Sequence, residues 1–186
     1  MLKEGRFQGP VLEPPAGGVA DFGKIDAVVA LGLQLARQAG IPAPTLRDAV
    51  WELLLEAGDT LRRLPNREHG WLTAASRGHW PDYVRSAAED FSADGSAGRR
   101  GPASAEAIDR LDAVLLWLPH AAGSNPKRDP KRDVALLFAL ACGVKVVTLR
   151  RRFGCGRRTV YDARDRGIAR ICGWLRAEST FCRGLA

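Results

Sequence analysis

Between Lys145 and Arg166 stand eight cations, interrupted by one tyrosine and two aspartates. Arg157, Arg158, Tyr161 and Asp162 fall at helical spacing and would share an outward face near the start of one helix. A guanidinium there presents parallel donors that match guanine O6 and N7, and a tyrosine ring packs on a thymine methyl or bonds a phosphate. These four are the candidate base-reading residues. Lys145, Arg150, Arg151, Arg164 and Arg166 suit phosphates, which position a protein on duplex DNA without reading sequence. A solvated, partnerless basic face is the competing interpretation, so the elements that would carry these residues decide the matter.

The charge is local. Residues 124–186 hold 15 Lys/Arg against 5 Asp/Glu, net +10, and residues 1–123 hold 13 against 16, net −3. Arginine outnumbers lysine 23 to 5, which together with many Ala and Gly residues fits a GC-rich bacterial genome. Mutational bias does not explain why the excess sits at one end. A basic segment of this kind favours a polyanionic partner.

Apolar periodicity predicts a helix over Lys131 to Cys142, ended by Gly143, and a short one over Val144 to Phe153. Gly154-Cys155-Gly156 then makes a tight turn, and a long helix runs from Arg157 to about Leu175. Two helices crossing steeply around a glycine form a helix-turn-helix, in which apolar residues at fixed offsets lock the crossing. With Gly154 in the ninth place of a twenty-residue unit starting at Val146, the five places that should be apolar hold Leu149, Phe153, Cys155, Val160 and Ala163. All five comply. Arg150 occupies the fifth place, where a small residue is usual.

The front half also reads as helical. Residues 1–20, rich in Gly and Pro, read as a flexible tail. From Asp21 to about Gln38 the residues are apolar nearly all round, as in a helix buried against the core or a partner chain. Thr45 and Asp48 form a capping-box-like start to an amphipathic helix carrying Leu46, Val50, Leu53, Leu54, Ala57, Leu61 and Leu64, with Pro65 as its stop. Residues 66–81 read as an irregular loop pinned by Trp71 and Trp80. A short helix over Pro81 to Phe91 leads into a mobile loop, Ser92 to Pro102. Ser104 caps a further helix whose apolar positions run to Leu118 ahead of Pro119. Nothing reads as a strand. The expected architecture is all-α with about seven helices: a tail (1–20), an acidic helical domain for dimerisation or partner binding (21–123), a linker (124–130) and a basic helix-turn-helix DNA-binding domain (131–186).

Other chemistry finds little support. Carboxylates are scattered, no histidine stands in a nucleophile-like setting, and no Gly-rich loop ends in Lys-Ser/Thr, so the expectation is no enzyme and no cofactor. Cys142, Cys155, Cys172 and Cys182 lie far apart without a Cys-x-x-Cys pair, and His69, His79 and His120 fall outside the basic region; no metal site is expected. No apolar run reaches membrane-spanning length and no signal-peptide pattern opens the chain, which predicts a cytoplasmic protein with no membrane partner.

The run LRRRFGCGRRTVYDARDRGIARICGWL resembles region four of bacterial sigma factors and the regulators that share its helix-turn-helix. The segments EAGDTLRRLP, GHWPDYVR, GPASAEAIDRLDAVLLWL and RRFGCGRRTV, in this order, resemble an uncharacterised helix-turn-helix family of bacterial and prophage genomes. Relatives of the sigma type usually carry Ser where this chain has Gly156. The resemblance implies a helix-turn-helix fold and a bacterial or prophage setting. Three functions follow: a sequence-specific transcriptional regulator acting on double-stranded DNA as a homodimer, a small-terminase-like packaging component forming a higher oligomer, or a sigma-like adaptor that binds RNA polymerase.

Overall fold

The computed structural model describes residues 22–64, 101–123 and 129–185. Eight helical segments and no strand occur among them: α1 (Phe22–Gln38), α2 (Leu46–Arg63), α3 (Ala105–Leu115), α4 (Leu118–Ala121), α5 (Pro130–Ala141), α6 (Val146–Phe153), α7 (Arg157–Glu178) and α8 (Thr180–Arg183). The described part of the chain is all-α. The tail, the 66–81 loop and the Pro81 to Phe91 helix lie outside the described residues, as do most of the Ser92 to Pro102 loop and of the 124–130 linker.

Helix α2 starts where side-chain chemistry dictates. Thr45 Oγ1 accepts from the Asp48 backbone N–H, and an Asp48 carboxylate oxygen accepts from the Thr45 backbone N–H at 2.9 Å, so two of the orphan donors at the helix start are satisfied. Ser104 does the same for α3, accepting from the Ala107 N–H at 3.2 Å. The α3 helix stops at Leu115 rather than continuing through Leu118. Pro119 has no N–H to give the Leu115 carbonyl, and its ring would press on that oxygen, so the chain turns and restarts as α4 with the proline in its first turn. Past Leu175 the long helix continues to Glu178, where Ser179 caps the short α8 and donates its hydroxyl to Asp26 of α1.

One large apolar cluster joins residues from both sides of the expected 124–130 linker. Leu46, Leu53, Leu54 and Leu61 of α2 and Leu111 and Val114 of α3 share it with Leu137 and Phe138 of α5 and Ile171 and Leu175 of α7. Each fully buried leucine contributes about 1.5–3 kcal/mol relative to leaving it exposed. Ion pairing reinforces the front of the molecule: the Arg110 guanidinium donates to the Glu56 carboxylate at 2.6 and 3.0 Å, fixing α3 to α2. At the centre runs α7, which touches α2, α4, α5, α6 and α8. His120 of α4 stacks on Trp174 of α7 with ring centroids 4.0 Å apart.

Gly58 lets the backbones of the two charge-segregated halves approach closely. A Cβ built there would lie 2.7 Å from the Cys142 Cα and 2.8 Å from the Ala141 carbonyl oxygen, and backbone atoms cannot swing aside as a side-chain tip can. Replacing a helical glycine by alanine ordinarily stabilises by up to about 1 kcal/mol. Here overpacking of about 1–3 kcal/mol opposes that gain and wins. Gly58→Ala is therefore expected to lower the urea midpoint with the slope of the transition unchanged; a raised midpoint would show that α2 and α5 do not touch at this point.

Candidate nucleic-acid interface

The basic stretch folds as two short-spaced helices on a shared apolar seam. Leu149 of α6 and Val160 and Ala163 of α7 are buried with Leu136 and Ala139 of α5, and Phe153 and Cys155 pack against them. These include all five positions whose apolar character the sequence singled out. Gly154 closes α6 with φ 56° and ψ 41°, the left-handed conformation that costs any residue with a Cβ, and its N–H returns to the Arg150 carbonyl. Cys155 adds a second bond to the same oxygen at 3.2 Å. The chain thus reverses within three residues, and α7 begins at Arg157 behind Gly156, which supplies no side-chain cap.

Six of the nine candidate residues, Arg150, Arg151, Arg157, Arg158, Tyr161 and Asp162, flank this turn, and Lys145 stands at the opposite end of α6 as its N-cap. Lys145, Arg150 and Arg151 are exposed, and the two arginines line a shallow open depression with Val147, Gly154, Cys155 and Gly156. Arg150, which stands where a small residue is usual, therefore points to solvent instead of into the helix crossing. Arg157 and Arg158 stand exposed on the other side of the turn, Arg158 at 94 %. Asp162 lies 3.8 Å from it and is itself 49 % exposed. An exposed pair one turn apart on a helix stabilises by about 0.3–0.5 kcal/mol, too little to withhold Arg158 from a charged ligand. Tyr161 is half-buried, with the Arg157 guanidinium 5.7 Å from its ring centre.

Arg164 and Arg166 are placed differently. Arg166 donates through Nε and a terminal nitrogen to one carboxylate oxygen of Asp133 at 3.3 and 3.0 Å, and Asp133 is 8 % exposed. Removing Arg166 from that pair would leave a nearly buried carboxylate alone, which costs more than a surface phosphate contact returns. Arg164 bonds the Asp165 carboxylate at 2.8 Å and lies 5.5 Å from the Trp51 ring centre and 5.4 Å from that of Tyr161. Both were expected on phosphates; Arg166 is held by Asp133 of α5, and Arg164 by Asp165 of its own helix and the Trp51 ring of α2.

The sequence reading missed Trp51 and Arg47, which α2 brings to the flank of α7; the Arg47 guanidinium reaches the Asp165 carbonyl at 3.5 Å. Their spacing along the chain carries no signal for this meeting, because only the packing of α2 on α7 creates it. Val147, 55 % exposed at the rim of the depression, is an apolar group on an otherwise basic surface that the sequence reading also passed over.

Burial pushes the Cys142 thiol far up and that of Cys172 up to about 11, so both stay protonated near neutral pH. Among the described residues no group of His, Cys, Asp and Glu converges as metal ligands, and no helix is long and apolar enough to cross a membrane.

The chain matches the model of a family described as a domain of unknown function, DUF6362, over residues 62–171, more than half its length, and it belongs to that family. The matched stretch contains all nine candidate residues and leaves Trp51 outside. Neither among curated proteins nor among solved structures does the chain find a match.

Proposed function

We propose that this protein is a sequence-specific binder of double-stranded DNA, acting as a transcriptional regulator in the cytoplasm of a bacterium or from a prophage. In this reading α6 and α7 form a helix-turn-helix at the C-terminal end of a multi-helix protein. The observation that carries it is the basic surface of the two helices that a left-handed glycine turn joins, where Arg150, Arg151, Arg157 and Arg158 are exposed, as is Lys145 at the N-cap of α6. The first turns of α7 would enter the major groove with Arg157, Arg158, Tyr161 and Asp162 towards base edges. Lys145, Arg150 and Arg151 would lie on the flanking phosphates. Arg166 drops out of the phosphate set because its partner Asp133 is nearly buried, and Arg164 because it is held by both Asp165 and the Trp51 ring.

Selection from random-sequence duplex at low ionic strength tests this, followed by the mass of the complex on the selected site. A preferred site occupied by a dimer is the expected result, the two copies joined through the front-half helices. A closed ring of eight or more would favour a packaging component. A monomer that binds polymerase and no duplex would overturn the DNA reading.

A further inference from the structure

We propose that Trp51, on α2, is a positioning residue for sequence reading by Arg157, acting through Arg164 and Tyr161; this rests on the DNA-binding reading above. The four side chains form a ladder of alternating rings and guanidiniums. Arg164 lies 5.5 Å from the Trp51 ring and 5.4 Å from the Tyr161 ring, and Arg157 lies 5.7 Å from the same Tyr161 ring. All three distances fall within reach of a cation–π attraction. Arg157 and Arg164 stand four residues before and three after Tyr161, so along α7 they flank its ring on either side.

The arrangement matters because an arginine reads guanine only when its planar fork meets two acceptors at once, and a free side chain of that length samples many rotamers. Stacking on Tyr161 restricts Arg157, and Tyr161 is itself held by Arg164. Arg164 is in turn fixed twice, by the Asp165 carboxylate at 2.8 Å and by the Trp51 ring. Arg47 strengthens the same corner from α2 through the Asp165 carbonyl. The end of the ladder that anchors it thus belongs to the acidic front half, and the end that would touch DNA belongs to the basic half. A helix supposed to serve only association or core packing also orients the reading residue.

The test compares affinity for the selected site with affinity for random duplex, at two salt concentrations, in Trp51→Leu, Trp51→Phe, Arg164→Lys and Arg157→Ala. Lysine keeps the charge of Arg164 and loses its planar stacking. Trp51→Leu and Arg164→Lys are expected to lower the site preference about two- to fivefold, the size of one exposed cation–π contact, with the salt slope unchanged. Trp51→Phe, which keeps a ring, should retain most of the preference. In the free protein, the Nε–H resonance of Arg157 should move in Trp51→Leu as the ladder loosens. Should Trp51→Leu fail to fold, Arg164→Lys at the surface of α7 carries the same comparison.

An unchanged preference in Trp51→Leu and Arg164→Lys, alongside a lowered one in Arg157→Ala, overturns the positioning role and leaves the DNA reading standing. A preference untouched even by Arg157→Ala overturns both. If Arg164→Ala makes the salt slope shallower by about one unit with the preference intact, Arg164 is a phosphate contact and the ladder has no function.

Discussion

Raising monovalent salt from 50 to 200 mM should weaken binding to duplex DNA roughly 250- to 1,000-fold, as follows from a log–log slope of about −4 to −5 when about five phosphates are neutralised. Five of the exposed cations on α6, its N-cap and the first turn of α7 are the candidates for those contacts: Lys145, Arg150, Arg151, Arg157 and Arg158. The acidic front half does not cancel them, because at these salt concentrations interactions between exposed charges are screened beyond about 10 Å. Arg164 and Arg166 are excluded from the count by their contacts with Asp165 and Asp133. Titrations at four salt concentrations give the slope directly. A flat dependence, or no binding at low salt, would remove the DNA reading. A slope nearer −6 would instead mean that Arg164 and Arg166 both leave their partners for the duplex, against the geometry seen here.

Much of the local structure was legible because the signals that set it are themselves local. Thr45 and Asp48 mark the start of α2 through bonds made within four residues. The leucines of α2 recur at the three-or-four spacing that puts them on one face, and Gly154 stands where the backbone needs a left-handed residue. The stripe Val160, Ala163, Gly167 and Ile171 on α7 is buried as its periodicity predicts. What the sequence did not reveal depends on which helices meet. Because α7 touches five other helices, it also buries Ile168, Cys172 and Leu175, and its flanks are covered on more than one side. Periodicity cannot distinguish an arginine on such a flank from one in solvent. Arg166 became an internal partner because α5 presents Asp133, and Arg164 because α2 presents Trp51. The contribution of both halves to one apolar cluster was hidden for the same reason: composition separates acidic from basic segments, and the shared core is built from uncharged faces of each.

Arg157 and Arg158 are expected to differ from Arg151 and Lys145 in the kind of binding they support, and that difference separates sequence reading from attachment. The first pair occupies the opening turn of α7, beyond the glycine reversal, where a side chain on a groove-inserted helix reaches base edges. The second pair sits on α6 and its N-cap, on the segment that would cross the backbone. Loss of a bidentate base contact costs about 1–3 kcal/mol on the selected site and little on random duplex, so Arg157→Ala or Arg158→Ala should lower the site preference about 5- to 150-fold. The weak Asp162 pair offers Arg158 almost no competing stabilisation, so nearly the whole cost should be visible in binding. Arg151→Ala or Lys145→Ala should weaken both duplexes equally, leave the preference intact and make the salt slope shallower by about one unit. Titrating both DNAs with all four variants at two salt concentrations distinguishes the cases. If Arg157→Ala and Arg158→Ala weaken both duplexes alike, α7 does not read bases, and the surface around Gly154 recognises the shape and charge of its partner alone.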